Sequence, residues 1–206
     1  MKKLHKLISI TACVIVGQVV VSLYCCTMPE QKANAANPTV MSKEQMVAKG
    51  KYLVTVTGCN DCHSPKIMTR QGPIVDSTRP LSGSPADMKL PKIDTNQVTP
   101  GKWYLGSSDL TAWVGPWGIS YAANLTPDSA TGIGAWTDEL FIKILRSGKF
   151  MGVDAGRPIM PPMPVEDFKT LTDDDMKCIL AYLKSLTPIK NHVHDYVPPM
   201  EVKSMM

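Results

Sequence analysis

Two cysteines one helical turn apart, followed at once by a histidine, occupy Cys59-Asn60-Asp61-Cys62-His63. Nothing else in the chain restricts its fold as strongly, because three reactive side chains so spaced have to serve one object. A Cys-x-x-Cys-His run is the pattern for covalent attachment of a c-type haem. The two sulfurs add to the haem vinyl groups and hold the macrocycle as thioethers, and the adjoining imidazole of His63 is swung under the iron as proximal ligand. With 6 Cys and 4 His among 206 residues, the run is expected by chance at roughly 0.003 per chain.

Two rival chemistries use similar residues. A thioredoxin-like Cys-x-x-Cys sits at a strand-to-helix junction in a βαβ pattern, and no such pattern surrounds Cys59 and Cys62. A zinc site needs a fourth ligand, which His192 or His194 could supply, but zinc sites more often use a second closely spaced ligand pair and no second Cys pair follows. Haem is the favoured reading.

The chain opens with a short basic head at residues 1–6, then an apolar run at 7–26, then a polar stretch at 30–38. Basic, apolar, polar is the order of an export signal, and Ala33-Asn34-Ala35 offers a cleavage site before Ala36. The run is about 20 residues, long enough to span a bilayer, and Cys25 and Cys26 stand where a lipoprotein carries its acylated cysteine, although Tyr24 is bulky for that role. A cleaved signal, a retained membrane anchor and a lipidated N-terminus all place the rest outside the cytoplasm, in the periplasm. The expected layout is residues 1–35 as signal or anchor, 36–41 as linker, 42–190 as the main domain and 191–206 as a surface tail.

That layout changes the meaning of the formal charge of +4. The leader holds Lys2, Lys3, Lys6 and Lys32 against Glu30, so 18 of 22 basic and 17 of 18 acidic residues remain beyond it. A nearly neutral mature chain gives no electrostatic footprint for nucleic acid.

Ser42-Lys43-Glu44-Gln45 reads as a capping box opening a helix, with Met46, Val47, Leu53 and Val56 near helical spacing as far as about Gly58. Gly50 in its middle costs about 1 kcal/mol against alanine, tolerable by itself or a sign of close approach by another element. From 64 to 121 the helical signal disappears into a Pro- and Gly-rich stretch that carries Trp103, Tyr104, Trp113, Trp117 and Tyr121. So long an irregular segment is either functional or ordered by what it wraps. Its rings suit either a haem face or a small core of their own, and short β-ribbons are weakly signalled. Thr137 caps a second helix with Asp138 and Glu139 in its first turn; its apolar face is Leu140, Phe141, Ile144 and Leu145, and Gly148 closes it. A last helix starts at Thr172, bears the stripe Met176, Ile179, Leu180, Leu183 and Leu186, and is stopped by Pro188.

Iron that only shuttles electrons is usually six-coordinate, and a methionine thioether as sixth ligand raises the potential. The candidates are Met160, Met163, His192 and His194. Met163 lies between Pro162 and Pro164, which stiffen its backbone as a ligand of fixed reach requires. It is the favoured ligand. Most of the 13 Met are ordinary packing residues, as is Cys178, alone on the last helix.

The order of helix, Gly58-Cys59-Asn60-Asp61-Cys62-His63, long loop, Asn124-Leu125-Thr126-Pro127-Asp128, Gly132-Ile133-Gly134-Ala135-Trp136, Pro162-Met163-Pro164 and final helix resembles the bacterial class I cytochrome c family. The branch it most resembles contains the cytochrome subunits of membrane-bound alcohol and sugar dehydrogenases. The resemblance spans about residues 42–191. It implies an all-α, class I cytochrome c-like domain around one covalent haem c with its iron, interrupted here by the long irregular insertion. It also implies Met163 as iron ligand and a crossing of the first and last helices near Gly50 and Tyr182. Dehydrogenase cytochrome subunits often carry several haem motifs; this chain has one.

The function expected is that of a non-enzymatic electron carrier, passing electrons between redox partner proteins such as a donor dehydrogenase and an acceptor oxidase or cytochrome. A tethered relay within a dehydrogenase or oxidase complex is the next reading. A peroxidase, needing an open iron and a distal acid or base, follows, and a structural zinc protein is the most remote.

Overall fold

The computed structural model describes residues 41–202; the leader and its candidate cleavage, anchoring and lipidation positions lie outside the described residues. Helix α1 spans Lys43–Val56. Its capping box forms as the sequence predicts: the Gln45 amide donates to Ser42 Oγ at 3.3 Å and the Ser42 amide donates to Gln45 Oε1 at 2.8 Å. Helix α2 is the short Cys59–His63. An antiparallel hairpin, β1 Lys66–Thr69 with β2 Gly72–Val75, follows at once. Strands β3 Leu105–Gly106, β4 Ala112–Gly115 and β5 Gly118–Tyr121 then form an antiparallel three-stranded sheet. Helix α3 is Asp138–Ser147, capped by Thr137 and closed by Gly148 at φ 65°. Helix α4 is Val165–Phe168, α5 is Asp173–Lys184 and α6 is Pro199–Val202.

Five strands correct the all-α expectation. The sheets lie within the 64–121 stretch, whose weak alternation and many Pro and Gly conceal strands of two to four residues. Strands that short carry too little side-chain period to stand out from loop sequence. The helical frame agrees with the class I expectation. Helix α5 ends at Lys184, ahead of Leu186 and Pro188, and its own capping box joins Thr172 to Asp175.

Helix α1 packs across α5, and Gly50 permits the contact. A Cβ built on Gly50 would lie 1.9 Å from the Cys178 carbonyl oxygen and 2.8 Å from Tyr182 Cβ. The helix-interior glycine is therefore a close-approach residue, and the crossing sits where the family resemblance implies. Beneath it lies the main core of Val54, Leu81, Ile133, Phe141, Leu145, Phe168, Met176, Ile179, Leu180 and Leu183. Each large member stabilises the fold by about 1.5–3 kcal/mol relative to exposure. Cys178 is fully buried, as a small packing residue is expected to be.

A second, smaller core holds Val98, Val114, Ile119 and Val202, with Tyr121 and Val197 against it. The insertion thus has a core of its own, aliphatic rather than aromatic. Of its rings only Tyr121 joins that core, whereas Trp103 is 69% and Tyr104 58% exposed. Tyr104 instead lies against Trp113 and Trp117, with centroids 6.2 and 5.8 Å away.

Residues 191–202, the described part of the expected surface tail, are held by hydrogen bonds to distant backbone. Ile119 and Val197 exchange backbone hydrogen bonds of 2.8 and 3.0 Å, and Val202 is buried. Asn191 Nδ2 donates to the Ser82 and Ser84 carbonyls at 2.7 and 2.8 Å, and its Oδ1 accepts from the Ala86 amide at 3.0 Å. Every bond is to backbone far away in sequence, which no local pattern announces.

Candidate haem site

The five-residue α2 presents Cys59, Cys62 and His63. Its end is bound by Lys66, whose ammonium donates to the Asp61 carbonyl and, at 3.0 Å, to that of Ser64. Ser64, fully buried, ties the motif to the insertion: its hydroxyl donates to Asn60 Oδ1 at 2.9 Å and accepts from the Leu81 amide at 2.8 Å. The Gly83 amide then donates to the His63 carbonyl at 2.8 Å.

His63 Nδ1 lies 2.8 Å from the Ala123 carbonyl oxygen. A carbonyl only accepts, so Nδ1 carries the proton and Nε2 keeps its lone pair. Burial pushes the imidazole pKa down and so favours the neutral ring, outweighing the opposing pull of that hydrogen bond. A neutral imidazole whose far nitrogen donates to a backbone carbonyl is how ligating histidines are commonly oriented. Gly83 makes the geometry possible. It sits at φ +79°, and a Cβ there would lie 2.6 Å from both the Ala122 oxygen and the Ala123 carbonyl carbon.

Cys59 and Cys62 are half-buried free thiols. Burial is the first cause raising both pKa values, outweighing the Thr57 hydroxyl at Cys59 and the Lys66 ammonium at Cys62. Disulfide oxidoreductases need the opposite shift. Among the described residues no three His, Cys, Asp or Glu side chains gather as a metal cage. The thiols and the aimed imidazole fit a covalently attached haem.

Of the sixth-ligand candidates, Met163 is half-buried and packs on the main core, against which Cys59 also packs. Met160 is half-buried as well, whereas His192 and His194 are exposed. The His194 ring leans on Tyr121, with centroids 5.4 Å apart. Sequence reasoning did not find Ala123, Gly83 or Ser64. Ala123 acts through its backbone oxygen, which leaves no mark on the sequence; Gly83 and Ser64 stand among many other turn residues.

The Cytochrome c family model matches residues 47–187. Among curated relatives, the cytochrome c subunit of alcohol dehydrogenase (quinone) from Gluconobacter oxydans is 26% identical over 163 residues, covering 78% of this chain and 26% of that protein. The gluconate 2-dehydrogenase cytochrome c subunit of Pantoea cypripedii is 27% identical over 141 residues, 68% of this chain and 23% of that one. The fructose dehydrogenase cytochrome subunit of Gluconobacter japonicus is 40% identical over 75 residues, 36% of this chain and 14% of that one. The chain thus spans about a quarter or less of the length of these relatives. The family match runs from within α1 to beyond the end of α5 and includes the haem motif. This chain therefore belongs to the cytochrome c family, with covalently bound haem c and its iron.

Proposed function

We propose that the protein is an exported electron carrier with a single haem, attached through Cys59 and Cys62 and ligated on its two faces by His63 and Met163. The observation that supports this is the Ala123 carbonyl 2.8 Å from His63 Nδ1, which holds the ring in the tautomer whose Nε2 lone pair is free to bind a metal. Each thiol adds its S–H across one vinyl C=C, so both new bonds form without a leaving group. The bound haem supplies a one-electron ferrous/ferric couple. His63 contributes a ring held in one tautomer. Met163 contributes a neutral thioether that keeps water, oxygen and peroxide off the second face. No side chain moves a proton or attacks a substrate, so the protein needs no catalytic residue.

The partners proposed are redox proteins, with a dehydrogenase as donor and an oxidase or another cytochrome as acceptor. Relatives that are named cytochrome subunits of alcohol, gluconate and fructose dehydrogenases support that direction. The same names favour a second reading, a haem relay held within such a complex. The proposed compartment is the periplasm, with the apolar run at 7–26 acting as cleaved signal, retained anchor or lipoprotein leader. Among the described residues no helix is long and apolar enough to cross a membrane. Fractionation, with mass spectrometry of the mature N-terminus, distinguishes the three fates. Copurification with a dehydrogenase at fixed stoichiometry would favour the relay over the diffusing carrier.

Optical spectroscopy of the purified protein tests the site. A c-type spectrum that survives denaturing extraction, with the weak far-red methionine–iron band when oxidised, is the expected result. Met163→Ala should keep the haem, lose that band and lower the midpoint potential. An unchanged potential in that variant would transfer the role to another side chain.

A further inference from the structure

We propose that Ser120 is a positioning residue for the sixth-ligand loop, so that one segment, residues 120–123, braces both the His63 ring and the loop that carries Met163. The inference rests on Met163 as the iron ligand and goes on to say what fixes it. Residues 161–164 read Pro-Pro-Met-Pro, and three of the four have no backbone N–H. Such a loop cannot be tied down by its own amides and depends on donors that reach its carbonyls. Ser120 supplies one. Its side chain is buried, with 9% of the residue exposed, and Oγ lies 2.7 Å from the Pro161 carbonyl oxygen across 41 residues of sequence.

A serine hydroxyl has one proton to give. The Trp113 carbonyl, at 3.5 Å, is the poorer recipient, so the proton goes to Pro161. The oxygen lone pairs remain free to accept from Trp117 Nε1, at 3.3 Å. Strand β5 is itself anchored on both edges, by β4 and by the Ile119–Val197 bridge. Three residues beyond Ser120, the same segment offers the Ala123 carbonyl to His63 Nδ1. The spacing between the His63 ring and the Pro161–Pro164 loop is thereby set by residues 120–123, which run on from the end of β5, rather than by the loop.

The test compares Ser120→Ala with Ile119→Val, which trims the same strand without touching the hydroxyl, reading imidazole binding to ferric haem and the far-red band. Ser120→Ala should raise imidazole affinity about five- to tenfold, the equivalent of one hydrogen bond, and weaken the band. Ser120→Thr, which keeps a hydroxyl, should restore both. Ile119→Val should lower the melting temperature and leave imidazole affinity at the parental value. In a Met163→Ala background, Ser120→Ala should have no further effect on imidazole affinity. Parental affinity in Ser120→Ala, or an equal rise in Ile119→Val, would overturn the positioning role while leaving Met163 as ligand. A parent protein without the far-red band would overturn the ligand reading and this proposal with it.

Discussion

The helical frame and the 64–121 insertion are built by opposite means. The frame is local: capping boxes at Ser42 and Thr172, an apolar stripe on α3 and on α5, and one glycine where α1 meets α5. The insertion has few such signals. Its order comes from side chains bonding distant backbone, as Ser64 does to Leu81, Asn191 to Ser82 and Ser84, and Ser120 to Pro161. Yet the backbone just past the insertion's last strand, at Ala123, and not a helix of the frame, supplies the carbonyl that holds the His63 ring. The frame carries the haem motif while the irregular segment tunes it. Damage to the frame should therefore appear as lost stability, and damage to the insertion as altered ligation.

The largest effect expected is at the motif that both regions serve. Cys59→Ser with Cys62→Ser should abolish covalent haem, read as no haem stain on a denaturing gel; retained stain would break the central assignment. Next come two glycines that pit the regions against each other. Gly50→Val should push α1 off the Cys178 carbonyl and cost upwards of about 3 kcal/mol in urea unfolding. Whatever holoprotein folds should keep the parental potential, because the His63 hydrogen bond is untouched. Gly83→Ala places a Cβ 2.6 Å from the Ala122 oxygen in a left-handed backbone. It should cost about 1–3 kcal/mol and also shift the potential, through displacement of the Ala123 carbonyl. Equal shifts in both variants would erase the distinction between the regions.

Smaller effects sharpen it. Asn191→Ala removes three hydrogen bonds to Ser82, Ser84 and Ala86 and should cost about 2 kcal/mol. Hydrogen exchange should quicken around residues 82–86 and stay slow in α5. The smallest effect belongs to the frame. Lys49 pairs with Asp175 at 2.6 Å. The hydrogen bond from Lys49, then that from Thr172, holds the Asp175 carboxyl below its ordinary range. A depressed carboxylate stabilises the fold above its unfolded pKa, and that contribution is lost as pH falls through the lower folded value. Asp175→Asn should therefore cost less than about 1 kcal/mol near neutrality and flatten the acid limb of the stability–pH curve. A variant as acid-sensitive as the parent would assign acid unfolding to other groups.

Sequence alone determined the haem motif, the helix starts at Ser42, Thr137 and Thr172, and the closure at Gly148. These rest on spacing within a turn or two, where residue type and conformation are coupled directly. It also made Met163 the favoured ligand, through the prolines beside it. Tertiary structure decided the remainder: two small sheets where an all-α domain was expected, the close approach at Gly50, residues 191–202 stitched to the insertion, and the Ala123 carbonyl and Ser120 hydroxyl set against the His63 ring and the Pro161 carbonyl. The physical reason is the same in each case. A backbone carbonyl is present at every residue, so its use shows only once the chain has folded and set a donor opposite it.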